Sequence, residues 1–177
     1  LVNKVSDKME LVLGECIFSR GKESLEEIVG YYLLMRQKTL SIAESCTGGL
    51  ISERMTRVPG SSEYFLCGVT CYSNQSKINL AEIPPLVIEM NGAVSPEVAK
   101  SLAEGIREKT ASSIGLGITG LAGPSGGSPE KPVGLVYIAL ATEATVECQK
   151  FQFGGDRERI RFWASQAALD MVRRSLI

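Results

Sequence analysis

The chain of 177 residues contains no histidine. Within one chain, that excludes every serine or cysteine triad that uses imidazole as its base, and every histidine metal site. If the protein is a hydrolase, its proton transfers fall to Lys, Tyr, Asp, Glu or water. The cysteines are five, an odd number, at Cys16, Cys46, Cys67, Cys71 and Cys148, with no CxxC pair. A disulfide framework is not expected, nor are the commoner zinc spacings, and a reducing cytoplasm is the expected compartment. There is no unbroken apolar run long enough to span a membrane and no visible signal peptide, so no membrane partner is expected. Basic residues are not in excess: the net charge is -1, and nucleic acid is not an expected partner. What is present is 44% hydrophobic residues, enough for one well-buried domain. The first residue, Leu1, is not a methionine, which suggests a piece of something longer.

Periodicity supplies the elements. Residues 10–18, ELVLGECIF, are expected as a short strand. Residues 23–36 carry apolar positions at helical spacing, with Ser24 as N-cap and Glu27 three residues on. Residues 39–44 read as a strand, followed by a helical stripe of Leu50, Ile51, Met55 and Val58 that Pro59-Gly60 ends. Residues 65–72 are a strand; short helices follow from Ser73 and after Pro84-Pro85. Ser95 before Pro96 starts a helix that runs to about Thr110. Residues 112–119 read as a buried strand, 120–134 as a loop, and 134–141 with 145–153 as a hairpin. Asp156 caps a last helix to about Arg174. Helices alternating with strands and a closing hairpin predict a three-layer α/β/α sandwich with a mixed, mostly parallel sheet.

Three strands are each followed by an unusual polar segment. They are Glu44-Ser45-Cys46-Thr47-Gly48-Gly49, Tyr72-Ser73-Asn74-Gln75-Ser76-Lys77, and the glycine-rich run from Thr119 to Gly127. If the strands are parallel, all three segments meet at one sheet edge, where ligands of open α/β sheets bind. Ser45 would project from that edge as a nucleophile. The N–H groups of Thr47, Gly48 and Gly49 would form a helix N-terminus able to hold an oxyanion. An N-cap role for Ser45 explains the same residues equally well. Cys46 is a rival nucleophile with no histidine to serve it, and it ranks below Ser45. Lys77 is the candidate base, since serine–lysine pairs are a known alternative to the triad. That role needs a depressed lysine pKa; a solvated surface lysine is the bland alternative. Tyr72 could orient Lys77 or stack on a ring, or it could simply fill the core. Arg157, after Gly154-Gly155-Asp156, could meet a phosphate, or it could be an exposed first-turn arginine. Gly115-x-Gly117-x-x-Gly120 matches the dinucleotide fingerprint, but its glycines lie inside a strand and no helix follows, so that reading fails. Cys67 and Cys71 share one strand face and are expected to pack.

The segments AESCTGG, CYSNQSK, NGAVS, TGLAGPSGGSPEKPVG and GGDRERIR occur in this order. Together they resemble the C-terminal domain family of CinA (competence/damage-inducible) proteins, which includes stand-alone nicotinamide mononucleotide deamidases. The resemblance covers residues 25–177. It implies an amidohydrolase that converts nicotinamide mononucleotide and water to nicotinate mononucleotide and ammonia, without metal or cofactor. Ser45 falls on the family's serine, Lys77 on its lysine, Tyr72 on the tyrosine of YSN, Thr119 on the hydroxyl residue before GxAGP, and Arg157 on the arginine of GDR. Asn74, Gly120 and Gly123 join Thr47, Gly48, Gly49, Thr119 and Arg157 as expected substrate-binding residues. The family pattern also implies a homodimer. Residues 1–22 would be a junction with a possible fused upstream domain, and 23–177 the amidohydrolase domain. Asn91 stands where the family has a histidine, so any role of that histidine is missing here. A catalytically silent pyridine-nucleotide-binding or dimerisation domain remains the alternative; the intact Ser45 and Lys77 favour the enzyme.

Overall fold

The computed structural model describes the backbone of residues 2–177 and the side chains of residues 5 and 7–177. Seven α-helices and five strands are present among the described residues: α1 Val2–Leu13, α2 Leu25–Met35, β1 Leu40–Glu44, α3 Leu50–Thr56, β2 Phe65–Thr70, α4 Asn74–Ala81, α5 Pro85–Asn91, α6 Pro96–Thr110, β3 Ile114–Gly120, β4 Leu135–Ala141, β5 Val146–Gln152 and α7 Arg157–Arg174. The helix starts follow the expected chemistry. Ser24 and Glu27 form a capping box on α2, Ser95 accepts from the Val98 N–H, and Asp156 accepts from the Arg159 N–H. Ser73 and Ser76 add a second capping box on α4.

One expectation fails. Residues 10–18 form no strand: they finish α1 and turn through a short 3₁₀ segment, Gly14–Cys16. Leu11 and Val12 are 87% and 83% exposed, so this apolar run joins no sheet face. Val5, Met9 and Val12 recur at three- and four-residue steps, the helical period, which outweighs the short apolar run. The segment ends against α7, where Arg174 pairs with Glu15 at 3.3 Å.

The sheet order is β2-β1-β3-β4-β5. β1 pairs in parallel with both β2 and β3, whereas β4 is antiparallel to β3 and to β5. Four of the five strands therefore run in one direction. The two sheet faces are built differently. Leu40, Ile42, Ile114, Leu116, Ile118, Val136 and Ile138 interlock with Val29, Leu33, Ile160, Ala164 and Leu169 of α2 and α7. The opposite face is lined by small residues, including Ala43, Gly115, Gly117, Ala139 and Ala141, and α6 lies against it. A Cβ at Gly117 would strike the Ala99 carbonyl and the Leu102 side chain of α6. The glycines that mimic a dinucleotide fingerprint thus serve close helix–sheet approach. Helices on both faces make the three layers of the expected sandwich. Among the described residues no helix is long and apolar enough to cross a membrane.

Candidate active site

The central position of β1 creates the site. The chain moves from β1 to β2 on one side, then returns to β3 on the other, so the connections diverge at the end of β1. Ligand crevices of open α/β sheets form at such switch points. The residue after β1 is Ser45, and the segments following β2 and β3 flank it. They enclose a cavity of about 310 Å³ lined by Ser45, Cys46, Tyr72, Asn74, Lys77, Ala93, Val94, Thr119, Gly120, Leu121, Ala122, Gly123, Ser125 and Arg157. That volume suits a small-molecule ligand. A larger cleft of about 530 Å³, at the other edge of the sheet, includes Lys38, Arg107 and Ser112 but brings together no nucleophile with a base.

Lys77 is the centre of the arrangement. It lies in the first turn of α4, and its side chain is only 2% exposed. Its Nζ is 3.1 Å from Ser45 Oγ, 2.9 Å from the Cys71 carbonyl and 3.4 Å from the Tyr72 carbonyl. Burial holds its pKa below the ordinary lysine value. In the neutral amine, two N–H bonds can be given to the two carbonyls. The lone pair is then left directed at the Ser45 hydroxyl, the geometry a general base needs. No carboxylate pairs with Lys77 among the described residues, so nothing ionic anchors the protonated form.

Ser45 is 8% exposed and makes no cap. Its own N–H donates to the Ile118 carbonyl at 3.1 Å, extending the β1–β3 ladder by one residue. Capping of α3 falls instead to Glu44, the last residue of β1, which is fully buried. The Glu44 carboxylate accepts from the N–H groups of Gly49 (3.0 Å), Ile51 (3.1 Å) and Ser52 (2.8 Å), and from the Ser52 hydroxyl (2.7 Å). This corrects the oxyanion expectation for the turn. The Gly49 N–H is spent on Glu44 and the Gly48 N–H on the Ser45 carbonyl, at 3.1 Å. Thr47, Gly48 and Gly49 do not line the cavity, and Thr47 is fully buried. The glycines are needed for the turn itself: Gly48 and Gly49 have φ of 61° and 92°. The N–H groups of Ala122 and Gly123 have no partner among the described residues, and both residues line the cavity.

Tyr72, Asn74, Thr119, Gly120, Gly123 and Arg157 all line the cavity. Tyr72 is 60% exposed, so it is no core aromatic. Its phenol oxygen accepts from Arg157 Nη2 at 2.9 Å, while Arg157 Nη1 donates to the Gly123 carbonyl at 2.7 Å. Arg157 thereby links the segment after β2 to the glycine-rich loop across the rim of the cavity. The Thr119 hydroxyl donates to the Ala93 carbonyl at 2.7 Å, fixing the NGAVS segment as a wall. Cys46 lines the cavity too, but burial pushes its thiol up to about 12, which leaves it protonated and a poor nucleophile near neutrality. Cys67 and Cys71 pack in the core of the α6 face.

Of three further contributors, Lys131 and Arg161 carried no clear sequence signal and Glu44 carried one. Lys131 donates to the carbonyls of Asn91 (3.1 Å) and Val94 (2.8 Å), tying the glycine-rich loop to the opposite wall. Arg161 donates to the Thr47 carbonyl from Nε (3.1 Å) and Nη2 (2.7 Å). Glu44 was visible in the AESCTGG stretch, and a carboxylate ending a strand just before a helix is the signal that could have identified its capping role. Among the described residues no group of three or more Cys, Asp or Glu side chains is placed to hold a metal ion.

The fold and the site define an α/β/α domain with a serine–lysine pair at its switch point. The CinA C-terminal domain model matches residues 22–176, and the chain belongs to that family. It is 59% identical over 176 residues to a CinA-like protein of Koribacter versatilis and 53% identical over 176 residues to one of Acidobacterium capsulatum. Each match covers 99% of this chain and 42% of the relative, so the chain spans about two fifths of the length of these curated relatives. Among solved structures, a competence/damage inducible protein from Agrobacterium tumefaciens superposes with a TM-score of 0.80 at 31% identity, over 89% of this chain and 99% of that one. A CinA superfamily protein from Klebsiella pneumoniae superposes with a TM-score of 0.82 at 27% identity, over 87% of this chain and 98% of that one.

Proposed function

We propose that the protein is an amidohydrolase that deamidates nicotinamide mononucleotide to nicotinate mononucleotide and ammonia. The observation that carries this reading is the 3.1 Å contact between Ser45 Oγ and the buried, unpaired Lys77 Nζ. Ser45 Oγ attacks the carboxamide carbon while its proton passes to Lys77. The N–H groups of Cys46, Ala122 and Gly123, all from residues lining the cavity, are the candidate donors for the resulting oxyanion, since those of Gly48 and Gly49 are already occupied. Lys77 returns the proton to the amide nitrogen, and ammonia leaves. Water, deprotonated by Lys77, then hydrolyses the acyl ester and releases the carboxylate. The phosphate of the mononucleotide meets Arg157 and the glycine-rich loop, where a guanidinium and exposed backbone favour an anion.

The test is ammonia release from nicotinamide mononucleotide by the full chain and by Ser45→Ala. The wild type should turn over and the variant should lose at least about a thousandfold, in line with the loss of a catalytic nucleophile. A fully active Ser45→Ala protein rules out the serine mechanism. Calorimetric binding of the mononucleotide by a wild type that releases no ammonia makes the domain a silent binding module instead.

A further inference from the structure

The turn that presents Ser45 is held from outside the cavity. Glu44 takes the Gly49 N–H, and the Gly48 N–H goes to the Ser45 carbonyl, but the Thr47 carbonyl is held by a different layer of the molecule. The Leu50 N–H reaches that carbonyl only at 3.3 Å, while Arg161 of α7 closes on it with two N–H groups at 3.1 and 2.7 Å. With Gly48 and Gly49 both at positive φ, the turn is built from the most permissive residues of the chain and is the kind of segment that needs external restraint. Arg161 stands four residues after Arg157, so both guanidinium groups leave the same face of α7. One reaches the cavity rim at Tyr72 and Gly123; the other reaches the nucleophile turn. Arg161 does not line the cavity itself.

We propose that Arg161 is a positioning residue, whose two-pronged hold on the Thr47 carbonyl fixes the turn that aims Ser45 at Lys77 and keeps it in register with Arg157. This rests on Ser45 being the nucleophile, as proposed above, and not on which amide is the substrate. A displacement of about 1 Å at a reacting atom costs about a hundredfold in rate. Lysine cannot reproduce the planar fork, because it offers a point charge on a flexible stem.

The experiment follows covalent labelling of Ser45 by a fluorophosphonate probe, read by mass spectrometry, in the full chain. In that step Ser45 Oγ bonds to phosphorus, fluoride leaves, and the hydroxyl proton goes to Lys77. Ammonia release from nicotinamide mononucleotide is measured on the same samples, together with a thermal melt. Arg161→Ala should lower the labelling rate and kcat by about ten- to a hundredfold, with KM within about threefold and a cooperative melt retained. Arg161→Lys should recover only part of the loss. Labelling of Arg161→Ala at the wild-type rate overturns the proposal. If that variant does not fold, Arg161→Lys decides: wild-type labelling and kcat overturn the proposal, and a deficit in both supports it. A wild type that labels but releases no ammonia removes the substrate reading, and the labelling ratio still judges Arg161. A wild type unlabelled at Ser45 overturns both.

Discussion

On the α2/α3/α7 face of the sheet, Arg54 is buried with both terminal nitrogens answered. Its Nη2 is 2.7 Å from Glu26 Oε2 and 2.9 Å from Gln166 Oε1, its Nη1 is 2.9 Å from Ser165 Oγ, and its guanidinium lies 5.8 Å from the Phe162 ring centroid. On the α4/α6 face, Lys77 is buried at least as deeply, yet no carboxylate answers it. Its partners are two carbonyls and a serine hydroxyl. A buried cation normally survives only with a counter-charge, because desolvation without pairing is costly. Arg54 obeys that rule and staples three helices of one layer. Lys77 departs from it, and burial without a counter-charge holds its pKa below the ordinary lysine value.

The largest expected effect comes from removing the unpaired cation. Lys77→Met should lower ammonia release by about 10²–10⁴-fold, the usual contribution of a positioned general base. Its melting temperature should fall by less than that of Glu26→Ala. The pH dependence supplies the sign. Because the folded-state pKa of Lys77 lies below the unfolded value, the unfolded chain binds this proton more tightly. Its contribution to stability is therefore present above the unfolded value and is lost as pH falls through the folded one. The rate should rise with pH through that same folded-state pKa, as the neutral amine forms. A rate profile of the wild type with no rising limb would show that Lys77 does not act as the base.

The paired cation should behave in the opposite way. Glu26→Ala leaves Arg54 buried without its counter-charge and should cost about 3 kcal/mol of unfolding free energy, measured by denaturant titration. The activity of the folded variant should stay within about twofold of wild type. The double variant Glu26→Leu/Arg54→Met should recover most of that stability, since well-packed apolar residues replace buried ion pairs at little net cost. A Glu26→Ala protein of full stability but reduced turnover would mean that the two cations are not separated in role.

This division could be read in the sequence only on one side. Ser45, Tyr72, Lys77 and Thr119 announced themselves because each sits in a polar segment at the end of β1, β2 or β3, and parallel pairing forces those ends together; Arg157 follows β5, which pairs antiparallel, so that argument does not reach it. The ownership of the backbone donors could not be read. Whether Gly48 and Gly49 face a ligand depends on where the Glu44 carboxylate turns, which is a side-chain choice. Arg54, Lys131 and Arg161 look in the sequence like ordinary solvated cations; only the tertiary structure brings Glu26, Val94 and Thr47 to them. The helix caps were legible because Ser24, Ser95 and Asp156 act over three residues. Residues 10–18 taken alone are too short to separate strand from helix by period; the helical spacing shows only when Val5 and Met9 are included.

Thr47 offers the smallest and sharpest contrast with the two cations. It is a buried polar residue of the turn after Ser45, adjacent to the site, but its hydroxyl has no hydrogen-bond partner among the described residues. Its carbonyl carries the Arg161 contact, and a side-chain substitution leaves that carbonyl in place. Thr47→Val keeps the shape of the residue and removes an unsatisfied buried oxygen, which should raise stability by about 1 kcal/mol. Turnover should remain within about twofold, because the side chain faces the interior and touches neither Ser45 Oγ nor the cavity. A loss of ten-fold or more in kcat with an unchanged melt would put the Thr47 hydroxyl in contact with the reacting atoms. The turn would then serve the chemistry through a side chain, and the division between positioning and reacting groups would have to be redrawn there.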